Sequence, residues 1–385
     1  MQRRAFVVVI DACGVGALPD AADYGDAGAN TLLHVASAVG GLALPTLAAL
    51  GLGNILALPG VAASPAPVLH GRLAPLGPGK DSSNGHWELM GVVVEQAPPA
   101  YPEGLPTELL AHVEATIGSP VLCNRHREGI AVLEEYGVEH LASGAPILYT
   151  SQDSVIQLAA HSAAVPAEVL YAMCGALRAS LPGSGAVRRV IARPFEGQPG
   201  AFARTAGRRD YTTAPPSLSQ LDLLAQAAIE VHGVGKAPAL FDGIGFSELH
   251  AGATNSEAIA SVEALIGELD SGLVFANLIE TDQRYGHRKD AAGFHRALQE
   301  IDAALARWLH AARQEDLIIV TADHGCDPAS THSDHTREYA PLLAHFTGHG
   351  GRRHDGLLAD VGASVLDWLI GERARLPGRS FITNA

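Results

Sequence analysis

Three stretches of the chain, residues 6–10, 273–279 and 317–321, are predominantly apolar and do not alternate with polar residues, and each leads within a few residues into an Asp or an Asp-His pair. A strand with one face in water alternates apolar and polar residues, whereas a continuous run belongs to a strand covered on both faces, as in a parallel sheet between helix layers. In an open sheet of that kind, ligands lie beyond the carboxyl ends of the strands. Asp11, Asp282 and Asp323 are therefore expected to converge on one crevice although far apart in sequence. Helical periodicity at residues 256–269, 291–312 and 360–370 supplies covering layers, so the fold class reads as α/β.

At 385 residues the chain exceeds a single small core. Two Pro-rich stretches, 97–106 and 212–216, bracket a middle segment with its own signals at 108–117, 147–150 and 188–192. Sheet strands occur on both sides of it, so it reads as an insertion: a core of residues 1–97 and 216–385, and a smaller α+β cap of residues 98–215 over the crevice. Apolar residues at 47% and charged residues at 17% exclude the disordered class. A net charge of −15 argues against nucleic acid and anionic membrane as partners, so a phosphorylated ligand needs a local cluster of Arg, Lys or metal. The chain has 23 Arg and three Lys, and Lys80, Lys236 and Lys289 each sit beside a cluster rich in Asp, His or Gly. Cys13, Cys123, Cys174 and Cys326 have no CxxC spacing, and no signal peptide or run of ~18 apolar residues is present, which points to a cytoplasmic protein.

The loop Asp11-Ala-Cys-Gly-Val-Gly departs from the GxGxxG spacing and has no Walker lysine, which favours a metal carboxylate over a phosphate loop. The segment from Thr321 to Gly325 sets Asp323 next to His324, and adjacent residues on a strand-end loop reach one ion if the backbone turns between them. Asp282 with His287, and His335 eleven residues after His324, bring the set to three carboxylates and three imidazoles. That is enough for two ions, and mixed oxygen and nitrogen donors suit Mn²⁺ or Zn²⁺ better than Mg²⁺. Between these clusters, residues 79–88 contain Ser82 and Ser83, either of which is a candidate nucleophile, since a hydroxyl near a dication loses its proton more easily. Read alone, the same stretch is a polar turn before a helix, capped by Ser or Asp.

In order along nearly the whole chain, Asp11 and residues 79–88, 149–155, 193–195, 208–211, 235–236, 285–288, 321–325 and 334–339 resemble the motifs of the alkaline phosphatase superfamily, and within it of the phosphopentomutase family. The resemblance implies an alkaline-phosphatase-like, doubly wound core sheet with an inserted cap. It also implies two Mn²⁺ ions per chain, with Mg²⁺, Co²⁺ or Zn²⁺ as alternatives. The nucleophile of the family lies four residues before the motif His, which maps to Ser82. One ion would be held by Asp11, Asp323, His324 and Ser82, the other by Asp282, His287 and His335. Ser151, Asp153, Arg193, Arg208 and Lys236 fall on positions that hold the sugar and the far phosphate. The implied reaction interconverts pentose 1-phosphate and pentose 5-phosphate, ribose or 2-deoxyribose, through a phosphoserine and a sugar bisphosphate that also serves as primer. A small sugar phosphate is then the partner, and the protein is expected to be a monomer.

The chain departs from the family's pattern in places. Ser82, Ser83 and Asn84 stand where Thr is usual. His126-Arg-Glu-Gly-Ile-Ala131 replaces a Pro-Ala-Ser-Gly-Thr-Glu pattern, and Gln283 and Arg284 stand where smaller or apolar residues are usual. These changes lie toward the expected sugar side, so a mutase for another sugar phosphate is the first alternative. A metal-dependent phosphatase of the same superfamily is the second.

Overall fold

The computed structural model describes residues 3–96, 99, 101–127, 129–150, 155–181, 187–348, 350–373 and 375–382. Its contacts divide into two compact units, Met1–Glu95 with Ser217–Ala385, and Gln96–Pro216.

The first unit is built on an eight-stranded sheet. In spatial order its strands are Glu248–His250, Val231–Val234, Gly272–Leu278, Arg4–Ile10, Asp316–Thr321, Ala340–His345, Leu69–Ala74 and Gly356–Leu357. The first five run parallel, and Ala340–His345 runs against both of its neighbours. The three apolar runs are the central strands, each buried throughout. The run at 273–279 is shifted by one, because Gly272 pairs with Arg4 and Leu278 with Ile10, which leaves Ile279 past the last rung. Helices Thr31–Val39, Asn255–Glu268 and Ala291–Ala311 pack together on one face, and Asp360–Ile370, Gln220–Gln226, Ser82–Leu89 and Ala237–Leu240 on the other. Ala291–Ala311 buries Phe294, Leu298, Ile301, Leu305 and Trp308, the stripe its periodicity predicts.

At the amino ends of the central strands, the paired residues Arg4 and Asp316 form a buried fork. Arg4 Nε and Nη2 donate to the two Asp316 oxygens at 2.8 and 2.6 Å, and Nη1 donates to the Ile266 and Leu269 carbonyls. At the other ends, Ile10 pairs with Leu278 and Val9 with Thr321. The three strands thus deliver their following loops to one edge.

The second unit has a six-stranded mixed sheet in the order Leu122–His126, Ile147–Thr150, Val155–His161, Arg189–Glu196 and Ala203–Arg204, with Arg209–Thr212 also on Arg189–Glu196. Thr107–Ile117 and Ala167–Ser180 share one apolar cluster with it, and Ala131–Ser143 belongs to a second cluster around Phe195 and Phe202. Each unit therefore has a core of its own. No helix among the described residues is long and apolar enough to cross a membrane.

Candidate active site and metal centre

Asp11 leaves the first strand with its N–H on the Leu278 carbonyl at 3.1 Å. Ala12 then takes a left-handed φ of 60°, which costs a non-glycine residue roughly 1–2 kcal/mol. That turn aims the Ala12 N–H at Asp323 Oδ1, 3.1 Å away, and so ties together two loops over three hundred positions apart. Thr281 Oγ1 donates to the Asp11 carbonyl at 2.6 Å. Asp282 lies on a wide π-helical turn, Thr281–Gly286, so this candidate ligand stands on a helical turn and not on a plain loop.

Ser82 opens the helix Ser82–Leu89. Asp81 caps that helix, accepting from the Ser83 and Asn84 N–H groups at 3.0 and 3.1 Å. The cap points the hydroxyl of Ser82 at the crevice: Ser82 Oγ is 3.1 Å from His324 Nε2 and accepts from Lys236 Nζ at 2.9 Å. The polar turn and the candidate nucleophile are one feature.

Two groups of donor atoms result. In the first, His324 Nε2 lies 3.6 Å from Asp11 Oδ1 and 3.3 Å from Asp323 Oδ2, with Ser82 Oγ beside it. In the second, His287 Nε2 and His335 Nε2 are each 3.4 Å from Asp282 Oδ1 and 3.1 Å from each other. The groups adjoin, since the rings of His324 and His335 are 3.9 Å apart.

The proton positions follow from the partners. His287 Nδ1 lies 2.7 Å from the Ser333 carbonyl and His324 Nδ1 lies 3.1 Å from the Gly325 carbonyl. Each Nδ1 therefore carries the proton, and each Nε2 turns a lone pair inward, the arrangement that orients metal-binding imidazoles. Burial lowers the pKa of His324 to about 4 against the attraction of Asp323, which leaves the ring neutral and able to ligate at pH 7. Burial and the facing Asp323 push the Asp11 carboxyl well up, and Lys236 offsets this in part. Asp323 is also buried, yet His324, His86 and Lys236 hold it below the ordinary range.

The residues fit a pair of divalent ions. Asp11 Oδ1, Asp282 Oδ1 and Asp323 Oδ2 are buried and receive no hydrogen bond, although an unsatisfied buried carboxylate oxygen is costly. Three such oxygens facing inward-pointing imidazole lone pairs are a donor set suited to cations. Lys236 pairs directly with Asp11 and supplies one positive charge against three carboxylates.

A protein-family model, the metalloenzyme superfamily, matches residues 3–372. The phosphopentomutase of Anaeromyxobacter dehalogenans is 47% identical over 99% of both chains, and that of Caldanaerobacter subterraneus is 44% identical over 95% of this chain and 94% of its own. The chain belongs to the phosphopentomutase family. Membership makes it an enzyme of the isomerase class, and the superfamily makes it a binder of divalent metal. Its fold is shared with the phosphoglycerate mutase of Leishmania mexicana, at 14% identity and a TM-score of 0.52 over 99% of this chain and 97% of the other. The α/β class expected from the strand pattern, and the alkaline-phosphatase-like core implied by the resemblance, are the observed ones.

The remaining expected residues of this phosphopentomutase family member are placed differently. Lys236, grouped by resemblance with the sugar-binding arginines, stands among the candidate ligands against Ser82 and Asp11. Arg193 and Arg208 belong to the second unit. Arg208 donates to both oxygens of Asp210 at 2.6 and 2.7 Å, and Arg193 Nε donates to Gln157 Oε1 at 3.0 Å. Burial, Arg208 and Arg204 lower Arg193 to about 10, so it stays charged at neutral pH. Ser151 and Asp153 lie outside the described residues, as does Gln152.

Sequence reading passed over Asn277. Its amide donates to Asp11 Oδ2 at 3.1 Å and meets His86 Nε2 at 3.2 Å, while His86 Nδ1 is 2.9 Å from the Ser82 carbonyl and 3.2 Å from Asp323 Oδ2. An amide inside an otherwise apolar strand was the available signal. Arg337 and Glu338 support the site from below. Arg337 donates to the Gly77 and Gly79 carbonyls at 2.8 Å, and buried Glu338 accepts from Gly16, Thr31 and Thr336. Together they fix the Ser82 and Asp11 loops to the segment carrying His335.

Proposed function

We propose that the protein interconverts a pentose 1-phosphate and a pentose 5-phosphate, ribose or 2-deoxyribose, through a phosphoserine at Ser82 and a sugar bisphosphate. Asp11, Asp323, His324 and Ser82 would hold one Mn²⁺ and Asp282, His287 and His335 a second. The observation carrying this reading is the position of Ser82 Oγ, at hydrogen-bond distance from His324 Nε2 and Lys236 Nζ at the start of a capped helix. Such ions, when bound, neutralise charge on the transferring phosphoryl group and favour the ionised serine.

The residues of the chain account for the rest of the cycle. Phosphoserine gives its phosphoryl group to the free hydroxyl of the sugar monophosphate: the Ser82 Oγ–P bond breaks, the sugar O–P bond forms, and the hydroxyl proton ends on Ser82 Oγ. The bisphosphate turns, and the reverse step returns its other phosphoryl group to Ser82. Lys236 steadies negative charge on Ser82 Oγ in both directions. The helix start adds a positive end beside it. Arg193 and Arg208 carry charge suited to the phosphate that stays on the sugar, and Ser151 and Asp153 are assigned to the sugar. A bisphosphate primer restores phosphoserine lost to water. Thiols at Cys13, Cys123, Cys174 and Cys326 free of disulfides agree with a cytoplasmic enzyme, and we take it to act as a monomer.

The test is an assay with ribose 1-phosphate, Mn²⁺ and a bisphosphate primer. Ribose 5-phosphate is the expected product, and free phosphate in its place would overturn the mutase reading in favour of a phosphatase. Ser82→Ala is expected to reduce turnover to background with the fold intact, while Ser83→Ala retains it. The opposite pattern would move the nucleophile to Ser83.

A further inference from the structure

Away from the catalytic loops, the short edge strand Glu248–His250 runs parallel to Val231–Val234, and Glu248 pairs in register with His232. Side chains two apart on a strand share a face, so Glu248, His250 and His232 meet on one side of the sheet edge. His232 Nδ1 lies 3.0 Å from His250 Nε2, Glu248 Oε2 lies 3.7 Å from His232 Nδ1 and 3.8 Å from His250 Nε2, and the three atoms are able to hold one ion.

We propose that His232, Glu248 and His250 form a further metal site that takes Zn²⁺ or a similar transition-metal ion. A triangle with sides of 3.0, 3.7 and 3.8 Å has its centre about 2 Å from every corner, matching zinc–nitrogen bonds of ~2.0–2.1 Å and zinc–oxygen bonds of ~2.0–2.2 Å. Two imidazoles and one carboxylate suit zinc and disfavour Mg²⁺ and Ca²⁺, which prefer all-oxygen shells. Ligation through Nδ1 puts the proton of His232 on Nε2, on the side of Glu230, whose Oε2 is 3.7 Å away. Glu230 and Glu248 make the pocket negative, and Glu248 is well exposed, so an ion has a path in and a water can complete the shell. The site shares no residue with the catalytic set. It fastens a three-residue edge strand to the strand that leads directly to Lys236.

The test uses the full chain, dialysed against Zn²⁺ and analysed for metal content, with His250→Gln and Glu248→Gln beside the wild type. Each variant is expected to bind one equivalent less than wild type, with Mn²⁺-supported mutase activity unchanged, which also shows that the fold is kept. Adding His250→Gln to Asp282→Asn is expected to remove the same further equivalent. Equal zinc content in wild type and both variants would overturn the site.

Discussion

Four of the candidate ligands are held by a second contact that has nothing to do with metal: Asp11 by Asn277, Asp323 by the Ala12 N–H, His287 by the Ser333 carbonyl and His324 by that of Gly325. The donors are thereby set in place before any ion arrives, and the cost is a cluster of buried negative charge. Removing metal should make that cost visible. Mn²⁺ restored to chelator-treated protein at a hundredfold excess over Kd is expected to stabilise it by about 2.7 kcal/mol for one site, read as a rise in Tm. Lys236→Met takes away the ammonium that pairs with Asp11, so it should lower Tm more in the stripped protein than in the loaded one. Equal losses in both would show that Lys236 does not balance the carboxylates.

A histidine in the second unit gives a pH signature. Buried His140 has Nδ1 2.8 Å from the Ala145 carbonyl, and its Nε2 accepts from the His161 N–H at 2.8 Å. Burial and the nearby His161 hold its pKa below the ordinary 6.5. The unfolded chain then binds the proton more readily than the folded one, so its contribution is complete above about pH 6.5 and drains away as pH falls toward the lowered value. Urea midpoints at about pH 7.5 and 5.5 should differ more in the wild type than in His140→Gln.

Among the elements, the central strands are joined by more than apolar pairing. A continuous run of Val and Ile fits its neighbour in several registers, whereas the Arg4–Asp316 fork fits in one. Arg4→Met leaves Asp316 buried without its guanidinium and is expected to cost about 3–5 kcal/mol, measured by urea unfolding. Arg4→Met with Asp316→Leu should recover much of that loss, because the uncompensated charge has gone. A double variant no more stable than the single one would mean that the fork sets register and not merely charge balance. The helix Ser82–Leu89 makes a related point, since its cap Asp81 also orients the candidate nucleophile Ser82.

On the scale of the whole molecule, the chain leaves the first unit at Glu95 and returns to it at Ser217, and the segment between carries two apolar clusters of its own. Residues 96–216 expressed alone are accordingly expected to fold, giving mixed α/β far-ultraviolet dichroism and a cooperative urea transition. A featureless spectrum would mean that this segment depends on the rest of the chain.

The sequence by itself determined what is local. Apolar runs mark the central strands, the acids that follow them mark the edge where the candidate ligands gather, and the polar turn within residues 79–88 marks a helix start capped by Ser or Asp. Even there, the π-helical turn under Asp282, the earlier starts of the strands Arg4–Ile10 and Asp316–Thr321 and the shift of Gly272–Leu278 were not legible, because element ends depend on pairing partners. Tertiary structure decided which side chains face one another. Lys236 reaches Ser82, Asn277 joins Asp11 to His86, and His232 meets Glu248 and His250, each through strand order and register. An apolar pattern constrains which face of a strand is buried but hardly constrains which neighbour it pairs with. Contacts across strands distant in sequence therefore appear only once the sheet is assembled.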